Sequence, residues 1–222
     1  LTVTGNYAAV DYQFLPQYVY DDSQERLAQR WIGEWDQGIG DSGVRPGFIK
    51  LSVNDRPLAE IERKLLRAAA MTHLETGLTI GTHTRLAVSA FAQLAELDAR
   101  GVHPSAWIWI HAQHEKDLSQ QVEAARRGAW ISFDGINTDS VDEHVAMVKR
   151  LRDAGQLHRV LVSQDAGWYT PGEPRGGNIR AYDTILTKFV PALRSSGFTS
   201  AEIDTLFIDN PTRAFSVEAR RV

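Results

Sequence analysis

The chain has 222 residues, of which 43% are hydrophobic and 23% charged, with a net charge of −4 and no cysteine. That length supports a sizeable core, and the acidic balance supplies no basic stripe to match a nucleic-acid backbone. Without cysteine there are no disulfides, zinc-thiolate sites or cysteine nucleophiles, so any metal must be held by His, Asp, Glu or a modified side chain. No apolar run reaches the roughly 18 residues of a membrane span. No basic-then-apolar leader opens the sequence, and the expected location is the cytoplasm.

Taken in chain order, residues 1–5 read as a strand. A helix is predicted from about Asp22, with Ser23 as its N-cap and Leu27, Trp31, Ile32 and Trp35 on one face. Residues 47–53 form a strand. The next helix has Pro57 in its first turn and Gly77 at its C-terminal cap. Residues 78–84 are a strand, and a helix from about Leu86 to Arg100 stops at Gly101. Strand, helix and strand follow at 106–111, 117–128 and 129–134. The helix at 140–155 opens on Ser140 with Glu143 three residues on, a capping box. Residues 158–165 are a strand, 166–177 a Gly/Pro-rich loop, and helical segments run to the end, with a second capping box from Thr199 to Glu202.

Six strand–helix cycles with nearly continuous apolar strands imply a parallel α/β sheet covered on both faces. The candidates are a doubly wound sheet and a TIM (β/α)8 barrel. No glycine-rich phosphate fingerprint follows any strand, which counts against the dinucleotide-binding version. No linker, repeat or low-complexity segment divides the chain, so residues 1–222 read as one domain.

In such folds functional groups gather at the carboxyl ends of the strands. Four strands carry a metal-competent residue there: Lys50, His83, His111 and Asp165. A lone histidine or lysine in such a place is more often a hydrogen-bonded or snorkelling side chain. Four at equivalent positions reverse that reading, because a barrel brings them to one mouth. Lys50 stands among Phe48, Ile49, Leu51 and Val53, where desolvation lowers a lysine pKa. A neutral amine can add carbon dioxide, and the carbamate formed is a carboxylate-like bridging ligand. The alternative is a lysine paired with an acid such as Asp165.

The segments GFIKLSV, GTHT, IWIHAQHEKD, VLVSQDAGW and DNPTRAFS, in that order, resemble the phosphotriesterase family of the amidohydrolase superfamily, which includes bacterial phosphotriesterases and related lactonases. The resemblance runs from about Leu1 to Ser216. It implies a (β/α)8 barrel, with strands three to eight in this chain, and a binuclear centre of two divalent ions, usually zinc, with manganese or cobalt also compatible. Lys50, carboxylated by carbon dioxide, would bridge the ions. His83 and His111 would bind the more exposed one and Asp165 the more buried one. Asp165 would also orient the attacking hydroxide and accept its proton.

The sequence departs from that family in two places. The family's first strand ends in a His-x-His motif that supplies two further ligands, and no such motif occurs here. The opening residues resemble the family's third strand, so the first two strands are expected to lie outside this sequence, and hydrolysis by this chain alone is expected to be poor or nil. The family's proton relay uses an aspartate and a histidine at positions held here by His114 and Gly135, with Asp134 just before the glycine. A relay with exchanged members is expected, His114 bonding Asp134 or Asp165. Tyr7, Trp168, Tyr169 and Arg175 are the candidate substrate contacts, Arg175 for an anionic group. Trp31, Trp35, Trp107 and Trp109 are expected in packing, and His73, His103, His144 and His158 have no expected metal role.

The leading reading is a metal-dependent hydrolase for a small-molecule lactone or carboxylic ester. A phosphotriester is the second choice, and a non-catalytic scaffold is the reading from another class. No nucleic-acid or membrane partner is expected, and the assembly allowed for is a homodimer. Metal content separates enzyme from scaffold.

Overall fold

A computed structural model describes residues 2–222, which leaves Leu1, the first residue of the expected opening strand, outside the described residues. The strands are β1 (Val3–Thr4), β2 (Phe48–Ser52), β3 (Ile80–His83), β4 (Trp107–Ile110), β5 (Trp130–Phe133) and β6 (Val160–Val162). They pair in parallel and in sequence order, β1 to β6, as the strand–helix alternation implied. The register sets Lys50 beside Gly81, Ser52 beside His83, and His83 beside Ile110. Successive strand ends therefore arrive at one level. No helix among the described residues is long and apolar enough to cross a membrane.

The period-2 alternation of each strand sorts its side chains between two layers. Ile49, Leu51, Trp107, Trp109, Ile131 and Phe133 are buried in the main core. They meet there Leu65 and Leu66 of α3 (Glu60–Thr76), Leu94 and Leu97 of α4 (Ala87–Asp98), and Val148 of α6 (Val141–Asp153). The residues between them, Ile108, Trp130 and Leu161, form a smaller cluster on the opposite face with Ile110, Ala214 and Phe215. Polar groups lie on that same face at the carboxyl ends of the strands.

The helices start and stop mostly where local chemistry dictates. In α2 (Gln24–Gln37) the Ser23 hydroxyl accepts the Arg26 N–H at 3.4 Å, and Leu27 and Trp31 are buried. Gly77 ends α3 with φ 78°, the left-handed cap that glycine takes without strain. The Thr199–Glu202 box is formed at α8 (Ser200–Asp204), with bonds of 3.2 and 2.7 Å.

Two other start signals read differently. Pro57 lies ahead of α3, whose first turn is closed by Glu62 reaching back to the Ala59 N–H at 2.8 Å. Ser140 makes no cap with α6. Its hydroxyl accepts the Asn137 N–H at 3.0 Å, and Glu143 faces Lys116 at 3.7 Å. A further short helix, α1 (Gln17–Asp21), has no counterpart in the sequence reading. Between β4 and α6 runs α5 (Leu118–Arg126), capped by Asp117. After β6, α7 (Val190–Ser195) and α9 (Asn210–Ala214) are each entered through a wide π turn, Ile185–Phe189 and Thr205–Asp209.

The tail after α9 crosses the amino ends of the strands. Glu218 N–H bonds the Gly77 carbonyl at 3.0 Å, and Arg220 N–H bonds Nε2 of the fully buried His73 at 2.9 Å. At the other end of β1, Gly5 has φ 113°, and any Cβ there would collide with the Lys50 carbonyl. Only glycine lets the chain pass so close to the backbone that carries Lys50.

Candidate metal centre

β2 and β3 deliver Lys50 and His83, and the segments just past β4, β5 and β6 deliver His111, Asp134 and Asp165. All five line one cavity of about 1290 Å³ at the carboxyl ends of the strands, together with Tyr7, His114 and Trp168. The imidazoles of His83 and His111 meet edge-on with centroids 4.3 Å apart. Donor atoms of His111, Asp134 and Asp165 lie within 4.8 Å of one another.

The backbone is bent at two of these positions. His111 has φ 68° and Asp165 φ 44°, in the left-handed region where His and Asp are among the better tolerated residues. Such conformations are held by their surroundings and cluster at functional sites. At His111 the holder is Asp134, only 3% exposed. Its Oδ2 accepts the His111 backbone N–H at 3.0 Å, while its Oδ1 is 2.5 Å from His111 Nδ1. Gln113 locks the aspartate, donating to Oδ1 at 2.7 Å and accepting the Asp134 N–H at 3.2 Å. Nδ1 is engaged by Asp134 and Nε2 of His111 has no hydrogen-bond partner among the described residues, the arrangement of a metal-ligating histidine backed by a carboxylate.

Electrostatics prepare the other donors. Burial, with His111 and Lys50 nearby, pushes the His83 pKa down to about 4, so its ring is neutral at pH 7. Burial lowers the Lys50 pKa as well, against the opposing pull of Asp134 and Asp165. The Tyr7 hydroxyl is 3.5 Å from His83 Nδ1, and burial followed by the charge of Asp165 raises its pKa, so it remains a phenol. The two imidazoles, a carboxylate and a weakened lysine fit a borderline divalent cation, and no thiolate is present to suit a soft thiophilic one.

Several expectations meet a different arrangement. Among the described residues no hydrogen bond joins His114 to Asp134 or Asp165. Asp134 is engaged by His111 and Gln113 instead, and the imidazole of His114 stands 6.3 Å from that of His111. Tyr169 and Arg175 are off the cavity wall. The loop folds back so that the Tyr169 ring covers Gly176, and Arg175 sits exposed in a left-handed turn with φ 55°. Arg180, which the sequence reading passed over, lines the cavity in its place.

Comparison with known proteins agrees with this fold. The family model described as "Phosphotriesterase family" matches residues 1–215. A phosphotriesterase homology protein of Escherichia coli is 34% identical over 91% of this chain and 70% of its own length. A solved structure of the phosphotriesterase homology protein from E. coli, complexed with phosphate in its active site, superposes with TM-score 0.85 at 33% identity, covering 96% of this chain and 73% of that one. More distant relatives include an aryldialkylphosphatase of Saccharolobus solfataricus, 25% identical over 96% of this chain and 70% of that protein. A human N-acetyltaurine hydrolase is 26% identical over 85% of this chain and 58% of that protein. These relatives are named as hydrolases of different bonds, and the parallel sheet of this chain is the α/β barrel type of its structural counterpart. The matched span and the identity together place the chain in the phosphotriesterase family.

Proposed function

We propose that this chain is a metal-dependent hydrolase of an ester-like bond, with a lactone or carboxylic ester as the preferred substrate. The observation that carries the reading is the convergence of Lys50, His83, His111 and Asp165 on one cavity wall, with His111 Nε2 left free by Asp134. Those four would hold two divalent ions, Lys50 as its carbon dioxide adduct. Ions bound there acidify water and polarise the scissile bond.

The protein's own share of the reaction is positional. Asp134 and Gln113 fix the ring of His111. Asp165, which lines the cavity, would orient the attacking water and take its proton. The Tyr7 phenol and the Trp168 ring flank the entrance, an apolar and hydrogen-bonding edge for the acyl or leaving group. A pKa of about 4 keeps His83 in the form that binds a cation, and burial shifts Lys50 toward the neutral amine that adds carbon dioxide.

A phosphotriester is the second reading, favoured by the names of relatives and the phosphate held by the E. coli structure. The test is hydrolysis by the zinc-loaded chain of a δ-lactone, a para-nitrophenyl carboxylate and a para-nitrophenyl dialkyl phosphate. Turnover of the first two above the third, lost in His111→Ala, is the expected result. No turnover of any of them together with no zinc retained by the chain would remove the enzymatic reading in favour of a scaffold.

A further inference from the structure

We propose that Arg180 reads an oxyanion on the substrate, so that the ester cleaved here carries a carboxylate beyond its scissile bond; the inference rests on the hydrolase reading. Arg180 lies in the loop after β6, half-buried, on the same cavity wall as His111, Asp165 and Trp168. Its Nη1 donates to the carbonyls of Gln164 and Asp165, both at 2.9 Å. These bonds fix the plane of the guanidinium, and among the described residues Nε and Nη2 have no hydrogen-bond partner. A guanidinium held by one corner keeps a rigid fork for a planar oxyanion, with little rotamer freedom left to lose.

Charge pairing separates Arg180 from the other cations on the wall. Arg56 pairs with Asp11 at 2.9 Å, Arg85 with Asp55 at 3.3 Å, and Lys116 with Glu143 at 3.7 Å. Lys50 belongs to the metal centre. Among the described residues no carboxylate is in ion-pair contact with Arg180, which lines the cavity without such a partner. Arg180 also grips the carbonyl of Asp165, where Trp168 Nε1 adds a bond at 3.1 Å. A neutral substrate uses only that grip, whereas an anionic one also uses the free edge.

Glutarate and pentanoate, five-carbon acids that differ by one carboxylate, separate the two effects. Each is titrated calorimetrically into the zinc-loaded chain, wild type, Arg180→Gln and Arg180→Lys. The wild type is expected to bind glutarate about tenfold or more tighter than pentanoate, the scale of one charge-assisted hydrogen-bonded pair. Arg180→Gln should erase most of that preference and Arg180→Lys should keep part of it. Equal affinities in the wild type, or a preference that survives Arg180→Gln, overturns the proposal. With para-nitrophenyl esters of the same two acids, Arg180→Gln should raise KM for the charged ester alone. An equal loss for both esters would reduce Arg180 to a holder of Asp165 and likewise overturn it. If the wild type cleaves neither ester and retains no zinc, the hydrolase reading fails while the two titrations still decide the role of Arg180.

Discussion

Replacing Asp134 with asparagine removes one charge and almost no volume, which makes it a sharp probe of the His111 brace. Asp134 accepts from His111 Nδ1 at 2.5 Å, His111 N–H at 3.0 Å and Gln113 Nε2 at 2.7 Å. Burial alone would raise its pKa, and the hydrogen bonds from His111 and Gln113 outweigh that and hold the carboxyl below the ordinary range. An asparagine has one acceptor oxygen, so its amide nitrogen must face either the His111 backbone N–H or the ring N–H, donor against donor. The ring can relieve that clash by moving its proton to Nε2, which is the atom needed for a cation. Loss of a hydrogen bond to a charged group costs about 1.5–3 kcal/mol. Removal of such a backing residue typically weakens metal affinity by about 10–100-fold, or roughly 1.4–2.8 kcal/mol. The two figures agree, so Asp134→Asn should bind zinc about 10–100-fold more weakly in competition with a chromophoric chelator while retaining the wild-type circular dichroism spectrum. Zinc affinity within twofold of wild type in the folded variant would refute the reasoning.

Other outcomes follow from the same geometry. Asp165→Asn should lower kcat by about 100-fold or more, with less effect on zinc retention than His111→Ala, if it takes the proton from water. Gly5→Ala, which places a Cβ against the Lys50 carbonyl at φ 113°, should lower the unfolding free energy by more than about 2 kcal/mol in urea titrations. His73 is held neutral, its pKa lowered by burial while Nδ1 bonds the Leu78 carbonyl at 2.8 Å and Nε2 accepts from Arg220 N–H at 2.9 Å. A histidine with a depressed folded pKa stabilises the fold fully above its ordinary value near 6.5, and that contribution is lost as pH falls below it. Urea midpoints should therefore drop from pH 7 to pH 5, and by less in His73→Gln, which starts lower; parallel curves for the two proteins would exclude this role for His73.

The sheet and the strand-end residues were legible because their signals are local. An apolar run ending on Lys50, His83 or His111 announces both the strand and the end at which a site is built. The partner of His111 was not legible, since Asp134 stands 23 residues away and meets it only because His111 turns to φ 68°. The expected bond from His114 followed the family's relay with its members exchanged, and the actual one follows that turn. Arg175 and Arg180 share a loop whose path no periodicity constrains, so the choice between them lay with folding of the loop around Gly176 and Asp165. Ser140 satisfies the pattern of a capping box, yet the turn from Asn137 captures its hydroxyl first, a local competition invisible to spacing alone.

The central claim, that the strand ends hold a divalent metal centre, is tested most directly by the metal content of the purified chain after zinc is added and the excess removed by dialysis. The account predicts at least one zinc ion retained per chain in the wild type and loss of that ion in His111→Ala. A wild-type chain that is folded and retains none, or a His111→Ala chain that retains as much as wild type, would contradict it.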